Sequence, residues 1–107
     1  MRCVYEIVDT RTGARQIGAT ENFWRRIRQH DYDLRRGRHH NYALSAECRG
    51  IDGQRWIARI VERVPRDRSL WARERDWIAR VPAQLSFNRM AREDARRYPN
   101  LPRRRRN

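Results

Sequence analysis

The chain has 107 residues, enough for one domain with a modest hydrophobic core. Its formal net charge of +13 favours a polyanionic partner, and a hydrophobic fraction of 38% with four tryptophans excludes wholesale disorder. All 26 basic residues are arginine, so chemistry that depends on a lysine side chain is also excluded.

The sequence contains no targeting or membrane segment. Residues 1–9 lack the apolar run of a signal peptide, and no stretch is long and apolar enough to span a bilayer. Cys3 and Cys48 do not have the spacing of a zinc site. We therefore expect a soluble, reduced, cytoplasmic protein that does not contact membranes.

The first third of the chain predicts a β-hairpin followed by a helix. Residues 3–9 are rich in β-branched and aromatic side chains, residues 10–13 supply a turn, and residues 14–20 form the returning strand. Thr20 or Asn22 can cap a helix that ends near Gly37. The predicted buried side of this helix consists of Phe23, Ile27 and Leu34.

The rest of the chain predicts a short helix, a third strand and two further helices. The short helix covers residues 41–49, and the strand covers residues 54–64. The next helix contains Glu74 and ends at Pro82. A weak last helix covers residues 90–97. The composition changes after Asn88, where eight arginines and two acids occupy the remaining 19 positions.

Glu74 is unexpected in the helix that precedes Pro82, because it lies on the apolar side. A carboxylate that faces a core is costly unless something pairs with it. The helical pattern alone leaves two alternatives open: an ion pair with one of the many arginines, or a functional ligand. The apolar side itself consists of Leu70, Trp77, Ile78 and Val81, at spacings of three, four and seven residues.

These elements carry motifs that resemble the GIY-YIG nuclease family over residues 3–90. The first family motif matches CVY at 3–5, the second matches QIG at 16–18, and the later positions follow in register. The resemblance implies an α+β domain over residues 1–90, with a three-stranded antiparallel sheet flanked by helices. Residues 91–107 would form an arginine-rich, partly flexible extension.

The resemblance also implies a metal-dependent endonuclease that hydrolyses DNA phosphodiester bonds. In that interpretation Glu74 holds Mg²⁺ or Mn²⁺, and Tyr5 activates the attacking water. Arg26 stabilises the phosphate through its fixed fork of donors. His30 lies four residues later on the same helix face, where it passes a proton or orients Tyr5.

Three further positions complete the predicted site. Asn88 matches an asparagine that supports the site through hydrogen bonds, and His39 matches a contact to the phosphate or leaving group. Gln16 stands where the family has tyrosine, and glutamine can form hydrogen bonds but cannot take up a proton. The chain could therefore be an active or slow enzyme, or a degenerate domain that only binds nucleic acid. A more distant alternative is a small basic RNA-binding protein with accidental motif matches.

Basic residues of the first helix, the following loop and the tail predict the nucleic-acid surface. Trp24, Tyr32 and Tyr42 lie among them and can stack on unpaired bases. The sequence contains no recognisable sequence-reading module, so specificity would come from the domain itself, from nucleic-acid structure or from a protein partner. The predicted nucleic-acid-binding residues are Arg25, Arg28, Arg35, Arg36, Arg38, His40, Arg103, Arg104, Arg105 and Arg106.

Overall fold

The computed structural model describes residues 1–97, with the side chains of residues 1–93. Within these residues a three-stranded antiparallel sheet is flanked by helices, which confirms the predicted α+β fold. No helix of the described segment is long and apolar enough to cross a membrane. Arg103, Arg104, Arg105 and Arg106 lie outside the described residues, so their predicted role stays a prediction.

Strand β1 (Cys3–Asp9) is the centre of the sheet, between β2 (Arg15–Thr20) and β3 (Trp56–Arg63). Every residue of β1 is buried, as expected for a strand of β-branched and aromatic residues with neighbours on both sides. A tight turn joins β1 to β2. Its Gly13 has a φ of 80°, which suits glycine, and the Gly13 N–H donates to the Asp9 carbonyl at 2.7 Å.

Four α-helices surround this sheet within the described residues. Asn22, Asn41 and Ser69 precede the first three, and the side chain of each accepts a backbone N–H from the first turn. The helices are α1 (Phe23–Arg35), α2 (Tyr42–Glu47), α3 (Leu70–Arg80) and α4 (Phe87–Arg97).

Helix α4 begins earlier than predicted, at Phe87 instead of residue 90. The Ser86 hydroxyl accepts the Arg89 N–H at 3.2 Å, and the Ser86 carbonyl accepts the Met90 N–H at 3.1 Å. Ser86 therefore caps the helix, a signal that the prediction overlooked. The predicted end of the nuclease domain, residue 90, therefore lies inside this helix.

The two faces of the sheet have separate hydrophobic clusters, because alternate residues of β1 point in opposite directions. On the first face, Tyr5 packs in a cluster with Leu34 of α1 and Phe87 of α4. On the second face, Val4 packs in a cluster with Leu70 of α3. Helices α1 and α3 therefore lie on opposite sides of β1.

Strand β1 also carries two buried carboxylates, and arginines beside it neutralise both. Glu6 accepts hydrogen bonds from Arg15 at 2.9 Å and from Arg59 at 2.5 Å. Asp9 accepts a hydrogen bond from Arg55 at 3.0 Å, and this guanidinium holds the pKa of Asp9 below its ordinary value. These pairs connect the central strand to its neighbours and favour a single register.

Candidate active site

Tyr5 is fully buried, and its ring extends across Gly18 of the neighbouring strand β2. A Cβ atom at Gly18 would lie 2.3 Å from both Cζ and Oη of Tyr5, far inside van der Waals contact. The glycine of the second motif therefore leaves room for the phenol. Since β2 is an edge strand, this arrangement brings the Tyr5 hydroxyl to the edge of the sheet.

His30 holds the Tyr5 hydroxyl from helix α1. Its Nε2 lies 2.5 Å from the Tyr5 Oη, and the two rings meet edge to face with centroids 5.6 Å apart. His30 is 1% exposed. It shares the buried side of α1 with Phe23 and Leu34, at spacings of seven and four residues.

His39, the predicted contact to the phosphate or leaving group, is buried as well. It is 1% exposed, and its Nε2 forms a hydrogen bond with Nδ1 of His30. Its Nδ1 accepts the backbone N–H of Asn41 at 3.0 Å. Both ring nitrogens therefore contact protein atoms in the interior, and the contact to the phosphate or leaving group stays a prediction. His40 is partly exposed and stacks on His39, with ring centroids 4.2 Å apart.

Gln16 lies on the same face of the sheet as Tyr5, because it pairs with Ile7 of β1. It is 3% exposed, and its Oε1 has no hydrogen-bond partner among the described residues. Buried polar atoms are nearly always satisfied. This carbonyl oxygen is therefore suited to accept a hydrogen bond from a water molecule.

Arg26 lies one helical turn before His30 and is half-buried. The predicted nucleic-acid-binding residues Arg25, Arg28, Arg36 and Arg38 are exposed. The guanidinium of Arg36 lies 4.5 Å above the centroid of the Tyr32 ring. Arg35 is exposed but forms an ion pair with Asp31 at 2.9 Å, which makes it less available to a phosphate.

Asn88 connects helix α4 to the backbone of strand β2. Its Oδ1 accepts the Ile17 N–H at 2.7 Å, and its Nδ2 donates to the Ile17 carbonyl at 2.9 Å. Both bonds fall on the residue between Gln16 and Gly18, so they fix the backbone that supports the Tyr5 ring. Across 71 positions of sequence, Asn88 thus holds the edge strand in place.

Glu74 lies in the middle of α3 and is partly buried. Helix α3 packs against β2 and β1 on the face opposite Tyr5. A contact between Glu74 and the Tyr5 hydroxyl can therefore form only around the edge strand β2. The predicted roles of Tyr5 and Glu74 in one site therefore stay predictions.

Glu74 is the one carboxylate among the predicted site residues that could hold a metal ion. The described residues contain no group of three or more His, Cys, Asp or Glu side chains that could hold a metal ion. Mg²⁺ is commonly held by only one or two carboxylates, with water and substrate phosphate completing its shell. A single glutamate oxygen can serve that purpose, whereas a structural zinc site needs several protein ligands.

A cleft of about 260 Å³ lies between the second face of the sheet and the C-terminal half of α3. Glu6, Arg15 and Trp77 contribute to its walls, and none of the predicted catalytic residues does. The Tyr5 site is therefore separate from this cleft.

Two residues that were not predicted from the sequence shape the site. Gly18 was noted only as part of a motif, although its missing side chain makes room for the phenol. Asn41 is 2% exposed, accepts the Leu44 N–H as the N-cap of α2, and donates to the Phe87 carbonyl at 3.1 Å. An asparagine before a helical pattern signals a cap, but these tertiary contacts left no sequence signal.

Two solved structures are similar to this chain. The catalytic domain of the homing endonuclease I-TevI matches with a TM-score of 0.64 and 19% identity, covering 80% of this chain and 97% of that chain. A mutant of the catalytic domain of intron endonuclease I-TevI matches with a TM-score of 0.58 and 22% identity, covering 73% and 80%. No protein-family model and no curated protein matches. At these identities the similarity shows the fold.

Proposed function

We propose that this chain, which has the fold of a GIY-YIG endonuclease catalytic domain, is a metal-dependent endonuclease that hydrolyses DNA phosphodiester bonds. The observation that carries the proposal is the Tyr5 hydroxyl, held by His30 at the edge of the sheet above Gly18. A phenol in this position is costly for packing, because it requires a glycine beneath it and a histidine beside it. The net charge of +13 supports a nucleic-acid substrate.

Tyr5 and Arg26 supply the chain's own part of the chemistry. Tyr5 takes the proton of the attacking water. An ordinary phenol has a pKa of about 10, so nearby positive charge is needed for this task. Arg26 projects from α1 one turn before His30 and binds the scissile phosphate, where negative charge builds up in the transition state.

Glu74 is the residue that would hold the metal ion, with Mg²⁺ or Mn²⁺ as the candidates. A divalent cation beside the scissile phosphate supplies charge stabilisation that the arginines alone do not provide. For this role the Glu74 carboxylate would have to reach the site around β2, the strand that Asn88 fixes through Ile17. Its role is to place one anionic oxygen beside the phosphate that Arg26 binds.

The exposed face of α1 is the proposed surface for the DNA strand. Trp24 is 70% exposed and Tyr32 is 53% exposed, although both are large aromatic side chains. Arg25 and Arg28 adjoin Trp24 and are also exposed. Aromatic rings stack on bases while guanidinium groups bind phosphates, and a protein partner could add sequence specificity.

A catalytically degenerate nucleic-acid-binding domain is the second candidate, and Gln16 is the observation that favours it. The side chain provides no phenol where the family has one. Its unpartnered Oε1 can still accept a hydrogen bond from the attacking water, which would preserve positioning without proton transfer. The endonuclease and the degenerate domain are therefore both expected to bind DNA, but only the endonuclease is expected to cleave it.

A cleavage assay with the full chain separates the candidates. Single-stranded, duplex and branched DNA are each incubated with Mg²⁺, Mn²⁺ or EDTA, and binding is measured in parallel. We expect cleavage with a divalent cation, none in EDTA, and binding under all conditions. Gln16→Tyr should preserve or raise the rate if a second phenol fits. Binding without cleavage by either protein would support the degenerate domain.

A further inference from the structure

Two buried histidines lie in series between the Tyr5 phenol and a backbone amide. Nε2 of His30 faces the Tyr5 Oη at 2.5 Å, and Nδ1 of His30 forms a hydrogen bond with Nε2 of His39. At the other end, Nδ1 of His39 accepts the Asn41 N–H at 3.0 Å. Each histidine is 1% exposed, so protein atoms contact all four ring nitrogens in the interior.

The Asn41 amide fixes which group donates and which accepts in each hydrogen bond of the series, because a backbone N–H can only donate. Nδ1 of His39 must therefore carry a lone pair, which places the proton of neutral His39 on Nε2. That N–H donates to Nδ1 of His30, so His30 carries its own proton on Nε2. The Nε2–H of His30 then donates to the Tyr5 oxygen.

We propose that His39 is a positioning residue. It accepts a hydrogen bond from the Asn41 amide and donates one to His30, so that His30 in turn donates to the Tyr5 oxygen. The catalytic consequence rests on the proposed endonuclease function. His30 cannot take the Tyr5 proton, because the nitrogen that faces Tyr5 already carries one. A Tyr5 phenolate would instead gain a charge-assisted hydrogen bond from His30.

The same geometry keeps both imidazoles neutral. A second proton on His39 would point at the Asn41 N–H, and a second proton on His30 would point at the N–H of His39. Either event places two donors against each other in the interior, where an unsatisfied donor is costly. In the proposed reaction Tyr5 first releases its proton to solvent. A water O–H bond then breaks and its proton joins the Tyr5 phenolate. The water oxygen bonds to phosphorus as one P–O ester bond breaks, and the leaving oxygen takes a proton from solvent water while His30 keeps its proton.

The test measures which nitrogen of His30 carries the proton, using ¹⁵N-edited NMR of the full chain at neutral pH. The chain has three histidines, so His39→Gln and His40→Gln variants assign the signals. We expect His30 to be neutral and protonated on Nε2 in the wild type and in His40→Gln. A wild-type His30 that is protonated on Nδ1, or on both nitrogens, would overturn the inference whether or not the protein cleaves DNA.

Two substitutions at His39 form a matched pair. The amide of His39→Gln can still donate to Nδ1 of His30, whereas the carboxylate of His39→Glu can only accept. We expect His39→Gln to keep the His30 proton on Nε2, and His39→Glu to move a proton to Nδ1. If the protein is an endonuclease, His39→Glu should lower kcat roughly 100-fold or more with little change in KM, and His39→Gln should retain most of the activity. Equal kcat values for folded His39→Glu and wild type would contradict the catalytic consequence. If His39→Glu does not fold, the wild-type tautomer still decides the inference.

Discussion

Replacement of Gly18 by alanine tests how tightly the phenol fits against the edge strand. Gly18 is not among the described glycines with a positive φ, so alanine causes no backbone strain there. The added Cβ would lie 2.3 Å from two atoms of the Tyr5 ring. The ring has little freedom to move aside, because Tyr5 is fully buried and packs edge to face against Phe23 and His30.

The expected loss of folding stability is about 2 kcal/mol. Alanine in place of glycine inside a strand normally stabilises by about 0.5 to 1 kcal/mol. Overpacking a tight interior costs about 1 to 3 kcal/mol, and a displaced hydroxyl adds about 1 to 3 kcal/mol if its buried partner is left unsatisfied. The steric effect therefore outweighs the gain from the less flexible unfolded chain.

The control is the same substitution in a Tyr5→Leu background. Leucine keeps the apolar stem and removes the ring atoms that the new Cβ would meet. Gly18→Ala should then be neutral or stabilising by up to about 1 kcal/mol, which gives a coupling free energy of about 2 to 3 kcal/mol between the two positions. Urea denaturation followed by tryptophan fluorescence measures the free energy of unfolding of the wild type, the two single variants and the double variant. An equal effect of Gly18→Ala in both backgrounds would refute the proposed contact.

Three further predictions concern the edge strand, the buried acid of β1 and the DNA surface. Asn88→Ala should cost about 1 to 3 kcal/mol in urea denaturation, because it leaves the Ile17 N–H and carbonyl without their partner, and full stability would show that the contact is dispensable. Arg55 lowers the pKa of Asp9, so the stabilisation from Asp9 is complete above its unfolded-state pKa of about 3.9 and is lost as pH falls through the lower folded pKa. Asp9→Asn should therefore show a flatter dependence of the urea midpoint on pH below about 4, and a slope equal to the wild type would contradict this assignment. Trp24→Ala should weaken single-stranded DNA binding by about 1 to 3 kcal/mol and change duplex binding less, as measured by fluorescence anisotropy. Equal losses on both substrates would exclude base stacking.

The sequence predicted the elements that depend on local patterns. Strand β1, the cap at Asn22 and the buried side of α1 follow from side-chain periodicity and capping, which act over a few residues. The start of α4 was wrong because Ser86 was not considered as a cap. The resemblance to the GIY-YIG fold is confirmed by the structural similarity to the I-TevI catalytic domain.

The sequence could not predict contacts made across the fold. His39 follows a run of arginines and glycine that is typical of an exposed loop, yet its ring is buried against His30. The contact of Asn88 with Ile17 joins positions 71 residues apart, which no local periodicity encodes. The space above Gly18 depends on the register between β1 and β2, which pairs Tyr5 with Gly18.

The most direct measurement of the proposed function compares cleavage and binding by Glu74→Gln. The substitution keeps the size of the side chain and removes its charge, so the site loses its proposed anionic metal ligand while the arginine surface is unchanged. Cleavage should be almost completely lost, because metal stabilisation acts mainly in the transition state. Affinity for the same DNA should stay within about threefold, because arginine–phosphate contacts supply most of the binding free energy. Metal-dependent cleavage by Glu74→Gln at the wild-type rate would contradict the proposed role of Glu74.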